Sequence, residues 1–220
     1  GLSGASERIS TPAIDNLLQS LPIEDLGNSY AFKYAESGNY FCGFTVPNQV
    51  TLIYDLSSSR MAQRPIWHRR ASSATAEGVY RVSHIEQVYG KILAMDSIDG
   101  RIGEVNIDTF TEYGAEVLRR FNTIYFNKTG ARFRVPFVEL KSQVGSAAPA
   151  LDTAQLSMAL SVDGGINFEN PIVLDMPQEP SSVQRTIFKQ LGSFEFSMVM
   201  QFDVLTSKKI AHTMCNVQVV

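Results

Sequence analysis

Apolar residues recur at helical spacing near the start of the chain, where Ile14, Leu17, Leu18 and Leu21 follow Thr11 and Pro12. Thr11 can serve as an N-cap, Pro12 has the fixed φ of a first helical position, and Pro22 ends the run. The pattern predicts a helix of about two and a half turns. From Ser29 the period changes to two, the spacing of strands with one buried face. Four runs follow, at 30–34, 39–46, 49–56 and 64–70, with turn signals at Ser37-Gly38-Asn39, Pro47-Asn48 and Ser57-Ser58-Ser59. A second set lies at 79–88, 91–95, 102–107 and 115–126, with turns at Tyr89-Gly90, Asp99-Gly100 and Glu112-Tyr113-Gly114. Asp99-Gly100 is the sharpest hairpin signal, because a type I′ turn needs positive φ at both central residues.

Each set holds four strands, and the sets lie about 50 residues apart, with Ile53-Tyr54-Asp55-Leu56 matching Val105-Asn106-Ile107-Asp108. Four-stranded units repeating at this spacing mark propeller blades. A closed propeller takes about four to eight blades. Two blades therefore imply a piece of something longer, or blades that lean on other chains. After Arg132 the character changes. The small-residue run Gly145-Ser146-Ala147-Ala148-Pro149 suits a join between sheets, and longer strands are predicted at 154–162, 170–174, 183–191, 194–205 and 210–219. Phe194, Phe196, Met198, Met200 and Phe202 alternate with mostly polar neighbours, the pattern of a central strand. The expected fold is all-β. A partial β-propeller of about two four-stranded blades, with the short N-terminal helix, occupies 1–130. An antiparallel β-sheet or sandwich-like region occupies 131–220.

A chain of 220 residues, 44% hydrophobic and 19% charged, is ordinary for a globular protein. It buries roughly 70% of its unfolded surface, so it needs no disulfide or metal to stay folded. The net charge is -3. Affinity for duplex DNA comes largely from phosphate neutralisation by a basic face. The local clusters Arg69-Arg70, Arg119-Arg120 and Arg132 with Arg134 allow at most weak, non-specific DNA contact. Cys42 and Cys215 stand in apolar strand-like runs and are read as small buried hydrophobes made in a reducing cytoplasm. No run approaches the 18 apolar residues of a membrane span, and Gly1-Leu2-Ser3-Gly4 opens no signal-peptide core. A soluble protein without membrane contact is expected.

The best-defined motif is Ser161-Val162-Asp163-Gly164-Gly165-Ile166-Asn167-Phe168, which fits the Asp-box pattern S-x-D-x-G-x-x-W/F of sialidases and other propellers. Physically it is a self-contained hairpin, in which the carboxylate accepts backbone amides, glycine supplies positive φ and the aromatic packs beneath. Glycoside hydrolysis needs a pair of acidic groups, or a tyrosine nucleophile with its glutamate, and none falls here in a family motif. His68, His84 and His212 have no second ligand at metal spacing. Asp96-Ser97-Ile98-Asp99-Gly100 lacks the full calcium ligand series and reads as a turn. Trp67 with His68 reads as a blade-to-blade packing anchor. No catalytic, cofactor-binding or metal-binding residue is assigned, and no cofactor is expected.

The run Glu7-Arg8-Ile9-Ser10-Thr11-Pro12-Ala13-Ile14, a strand ending in Tyr54-Asp55, the pair Trp67-His68, then Tyr89-Gly90-Lys91, Asp99-Gly100-Arg101-Ile102 and the Ser161–Phe168 motif form an ordered series across the chain. In that order the chain resembles the packaged-DNA stabilisation proteins, the tail hub (tail accessory factor) proteins of short-tailed bacteriophages. Members of that family are considerably longer upstream, so the chain resembles the C-terminal part of one. The resemblance implies a structural virion protein of the phage tail, made in the host cytoplasm and without enzymatic activity. It implies a ring of six copies below the portal–adaptor complex that closes the DNA channel, stabilises packaged DNA, and carries the tail needle and tailspike proteins. A near-neutral to acidic balance suits a channel that must release DNA. The alternative, motivated by the Asp box, is a carbohydrate-binding or sialidase-like propeller module.

Overall fold

The computed structural model describes residues 7–72, 77–106, 108–128, 130–144, 155–176, 184–205 and 210–219. The chain divides into two units, Gly1–Ile107 and Asp108–Val220. In the first, α1 (Pro12–Ser20) begins where the Ile14 amide donates to Thr11 Oγ1 at 3.4 Å, and stops ahead of Pro22; α2 (Ile23–Gly27) follows. Their Ile14, Leu17, Leu18 and Leu26 pack on Val46, Val50 and Leu52. These belong to a four-stranded antiparallel meander of β1 (Tyr30–Glu36), β2 (Asn39–Val46), β3 (Val50–Asp55) and β4 (Trp67–Arg70).

Where the sequence predicts a serine turn there is a helix, α3 (Leu56–Ala62). Asp55 ends β3 and caps this helix, its carboxylate accepting from the Ser58 amide at 2.8 Å and the Ser58 hydroxyl at 2.6 Å. The buried Ser59 hydroxyl accepts the Ile66 amide at 2.8 Å and returns the chain to the sheet, so β4 starts at Trp67 and not at 64.

The other face of the meander, with Phe32, Tyr34 and Ile53, packs against Tyr80, Val82, Ile85 and Ala94. Tyr80 precedes, and the other three lie on, the second sheet, β5 (Val82–Val88), β6 (Lys91–Asp96) and β7 (Ile102–Val105). The repeat holds strictly for three strands: 52 residues separate Tyr30 from Val82, Asn39 from Lys91 and Val50 from Ile102, each the first residue of its strand. The tight turns repeat too. Ser37-Gly38 and Tyr89-Gly90 join β1 to β2 and β5 to β6, both residues of each pair having positive φ, as a two-residue I′ connection requires. At Asp99-Gly100 the hairpin forms with a different turn. Only Gly100 of that pair has positive φ, and the loop is closed by the Asp96 amide donating to the Arg101 carbonyl at 2.9 Å.

The predicted fourth strand of the second set does not join it. The run 115–126 is split between β9 (Ala115–Glu116), paired with β8 (Thr111–Glu112), and β10 (Leu118–Asn122), which sits at the 52-residue equivalent of β4. β10 pairs instead with β17 (Val199–Leu205), so the unit boundary falls at 107/108 and not at 130.

The second unit also contains β11 (Phe133–Arg134), β12 (Phe137–Val144), β13 (Gln155–Ser161), β14 (Ile172–Asp175), β15 (Gln184–Lys189), β16 (Ser193–Phe194) and β18 (Ile210–Gln218). One sheet has the order β10-β17-β13-β14 and the other β15-β12-β18. Val138, Leu140 and Phe188 from the second face Leu156, Met158, Met200 and Phe202 from the first in one buried cluster. β17 is central, as its alternation predicts, but the run 194–205 is not one strand: it breaks between β16 and β17, and Phe196 stands 69% exposed. The molecule is all-β apart from its short helices. The predicted join at 145–149 lies outside the described residues.

Candidate functional site

The Asp-box sequence builds the turn between β13 and β14. The Ser161 hydroxyl donates to Asp163 Oδ1 at 2.7 Å and accepts the Gly165 amide at 2.9 Å. Asp163 Oδ1 also accepts the amides of Ile166 at 3.1 Å and Asn167 at 2.9 Å, and Oδ2 accepts Asn167 Nδ2 at 2.7 Å. Gly164 and Gly165 take φ of +81° and +92°, which a side chain would resist. These donors hold the carboxyl down at about 2, the Asn167 amide contributing most and the Ser161 hydroxyl next. Both oxygens serve the loop itself, so the motif is a structural clasp.

Among the described residues the largest charged cluster lies at the β6–β7 hairpin, where the sequence predicts only a turn. Arg81 donates to both oxygens of Asp96, through Nε at 3.0 Å and through Nη2, and reaches Asp99 at 3.3 Å. Arg101 pairs with Asp99 at 2.7 Å. Asp96 is buried and also accepts the Ile98 amide at 2.9 Å. The Arg81 guanidinium, more than any other neighbour, holds its carboxyl well below the usual range. Asp96, Asp99 and Arg101, close together in sequence, were the available signal; the distant Arg81 was not.

Three of the clustered arginines are engaged within the fold. Arg70 donates to the Tyr34 hydroxyl at 3.1 Å and lies 4.2 Å over the Tyr80 ring. Arg119 stands over the Phe110 ring, and Arg120 grips Asp203 on β17 in a fork of 2.7 and 2.8 Å. Likewise Arg185 pairs with the buried Glu139 across β15 and β12, and holds that carboxyl down.

Trp67 is an anchor of another kind than predicted. Its indole donates to the Ile9 carbonyl at 3.0 Å and its ring meets Tyr54 at 5.1 Å, on the side of the first sheet that faces the helices. His68 is exposed beside the edge of the Phe41 ring, and partial desolvation followed by Arg70 lowers its pKa. His84 pairs with Glu86 at 3.5 Å on the surface, and the side chain of His212 lies outside the described residues. Both cysteines are exposed, contrary to their reading as buried hydrophobes. Among the described residues no group of three His, Cys, Asp or Glu could hold a metal, and no helix is long and apolar enough to cross a membrane.

With two sheets of one repeat followed by a separate two-sheet unit, the comparisons divide the chain the same way. Residues 2–110 match the family described as Bacteriophage P22 Gp10, beta-propeller, and residues 118–220 the one described as Bacteriophage P22 Gp10, beta-sandwich. The chain belongs to the Gp10 family. It is therefore a phage tail structural protein. The sandwich match begins at the first residue of β10, the strand that pairs with β17 in the second unit. Among solved structures the chain is similar to an exo-beta-1,3-galactanase from Phanerochaete chrysosporium with galactose, at 14% identity and a TM-score of 0.24. That likeness covers 83% of this chain and 56% of the enzyme, and at such a TM-score it supports no argument about Gp10-like function. No curated protein matches.

Proposed function

We propose that this chain is a non-catalytic assembly subunit of a phage tail hub, which self-associates into a ring, docks on the portal–adaptor complex and carries the tail needle and tailspikes. In this role it helps close the channel and retain packaged DNA, in the virion tail. The observation that carries the reading is the match of both halves, blade and sandwich, to one phage structural family. The disposition of charge supports it: Arg70, Arg119 and Arg120 bind partners within the fold, so gripping phosphate would compete with those contacts. The test is capture of purified portal–adaptor complex by the immobilised full chain. Retention that survives about 0.15 M salt is expected, since assembly rests on buried apolar area more than on surface ion pairs. No retention at any salt would contradict the proposal.

A further inference from the structure

We infer that the contact between copies in the ring is a strand pairing, in which the outer edge of β14 of one copy adds to the outer edge of β18 of the next. The inference rests on the ring reading above and names the contact that makes it.

An edge strand presents unpaired backbone donors and acceptors, and proteins ordinarily protect it with charged side chains, proline or shortness. Among the described residues, sheets of three or more strands end in β1, β4, β5, β7, β10, β14, β15 and β18. All but the last contain Asp, Glu, Lys or Arg, up to the arginine pairs of β4 and β10. β18 spans nine residues, pairs among the described residues only with β12, and contains no such side chain; the nearest charges in sequence are Lys208 and Lys209 ahead of it. It is a long edge without the usual protection.

The donor strand follows from symmetry and charge. Pairing β18 with itself would use one patch twice and stop at a dimer, whereas a ring joins two different patches. β5, β7 and β14 each carry one charge, but Glu86 and Glu104 lie within their strands whereas Asp175 is the last residue of β14, which holds Ile172 and Val173 40% and 50% exposed. Such a strand gains backbone bonds for affinity and alternate side chains for specificity when it adds to another edge. Uncharged β18 receives it without burying an unpaired charge.

Cys215, exposed on β18, is a built-in reporter. In the full chain carrying Cys42→Ser, the substitutions Ile172→Cys, Val173→Cys and Leu174→Cys are introduced singly and the protein is oxidised mildly. At least one should give a ladder of covalent oligomers beyond the dimer, with peptide mass spectrometry linking that position to Cys215 of another copy. Val173→Lys or Cys215→Lys should weaken self-association at least tenfold, with circular dichroism confirming the fold. Met61→Lys, on the exposed surface of α3, should leave association unchanged. Covalent dimers and nothing larger would overturn the head-to-tail pairing. Oligomers that give no link to Cys215 and ignore both lysines would overturn this inference while leaving the ring intact. A monomer at every concentration would overturn the ring itself.

Discussion

Asp163 shows how a carboxylate in a sugar-enzyme-like motif can be spent on structure. With Asn167 and Ser161 binding its charged form, its carboxyl titrates at about 2, against roughly 3.9 in the unfolded chain. A group depressed by folding adds stability that is present above the unfolded pKa and lost as pH falls through the folded one. The melting temperature should therefore drop between about pH 4 and pH 2, partly through this group. Asp163→Ala, followed by calorimetry at pH 7, should lower it by a few degrees and shrink that acid dependence. An unchanged melting temperature would contradict the clasp. Gly43 poses the opposite kind of constraint. It lies opposite Phe32 on β1, and a Cβ there would enter the buried Phe32 ring. Gly43→Val should cost about 1–3 kcal/mol in urea unfolding, the usual penalty of overpacking; a neutral result would mean the ring moves freely.

At the scale of elements, what could be read from sequence was what is local. Helix α1 was legible because its cap, its first-position proline and its apolar face lie within eleven residues. The three repeated strands were legible from period-two alternation between glycine turns. Helix α3 was not, since Asp55 serves at once as the last residue of β3 and as a cap, and three serines after a strand read as a turn. Asp55→Ala should cost about 1 kcal/mol by removing that cap, measurable as a shift in the urea midpoint. The destination of β10 was hidden for another reason. Its spacing matches β4, yet its partner β17 is some 80 residues distant, and Arg120 with Asp203 and Phe121 with Phe202 fix that register. No periodicity within the strand records a partner that far away. Phe202 lies at the centre of this arrangement, against Phe121 and Phe188. Phe202→Ala should cost about 3–5 kcal/mol, enough to unfold the second unit at moderate urea.

For the molecule as a whole, composition spoke to what the chain contacts and the fold spoke to how. A net charge of -3 already argued against tight DNA binding, and the structure adds that Arg70, Arg119 and Arg120 hold tyrosine, phenylalanine and aspartate of their own units. A gel shift with duplex DNA at about 0.15 M salt should accordingly show no saturable complex; a tight, salt-sensitive one would require a different assignment of those arginines. What the chain does expose is sheet: a second blade of three strands, and a sandwich bounded on one side by an uncharged edge. Such surfaces suit assembly. Sedimentation velocity of the full chain across a wide concentration range, alone and with the portal–adaptor complex, tests this most directly. A discrete closed oligomer that co-sediments with the complex is the predicted result. A monomer that sediments independently of it at every concentration would contradict the account.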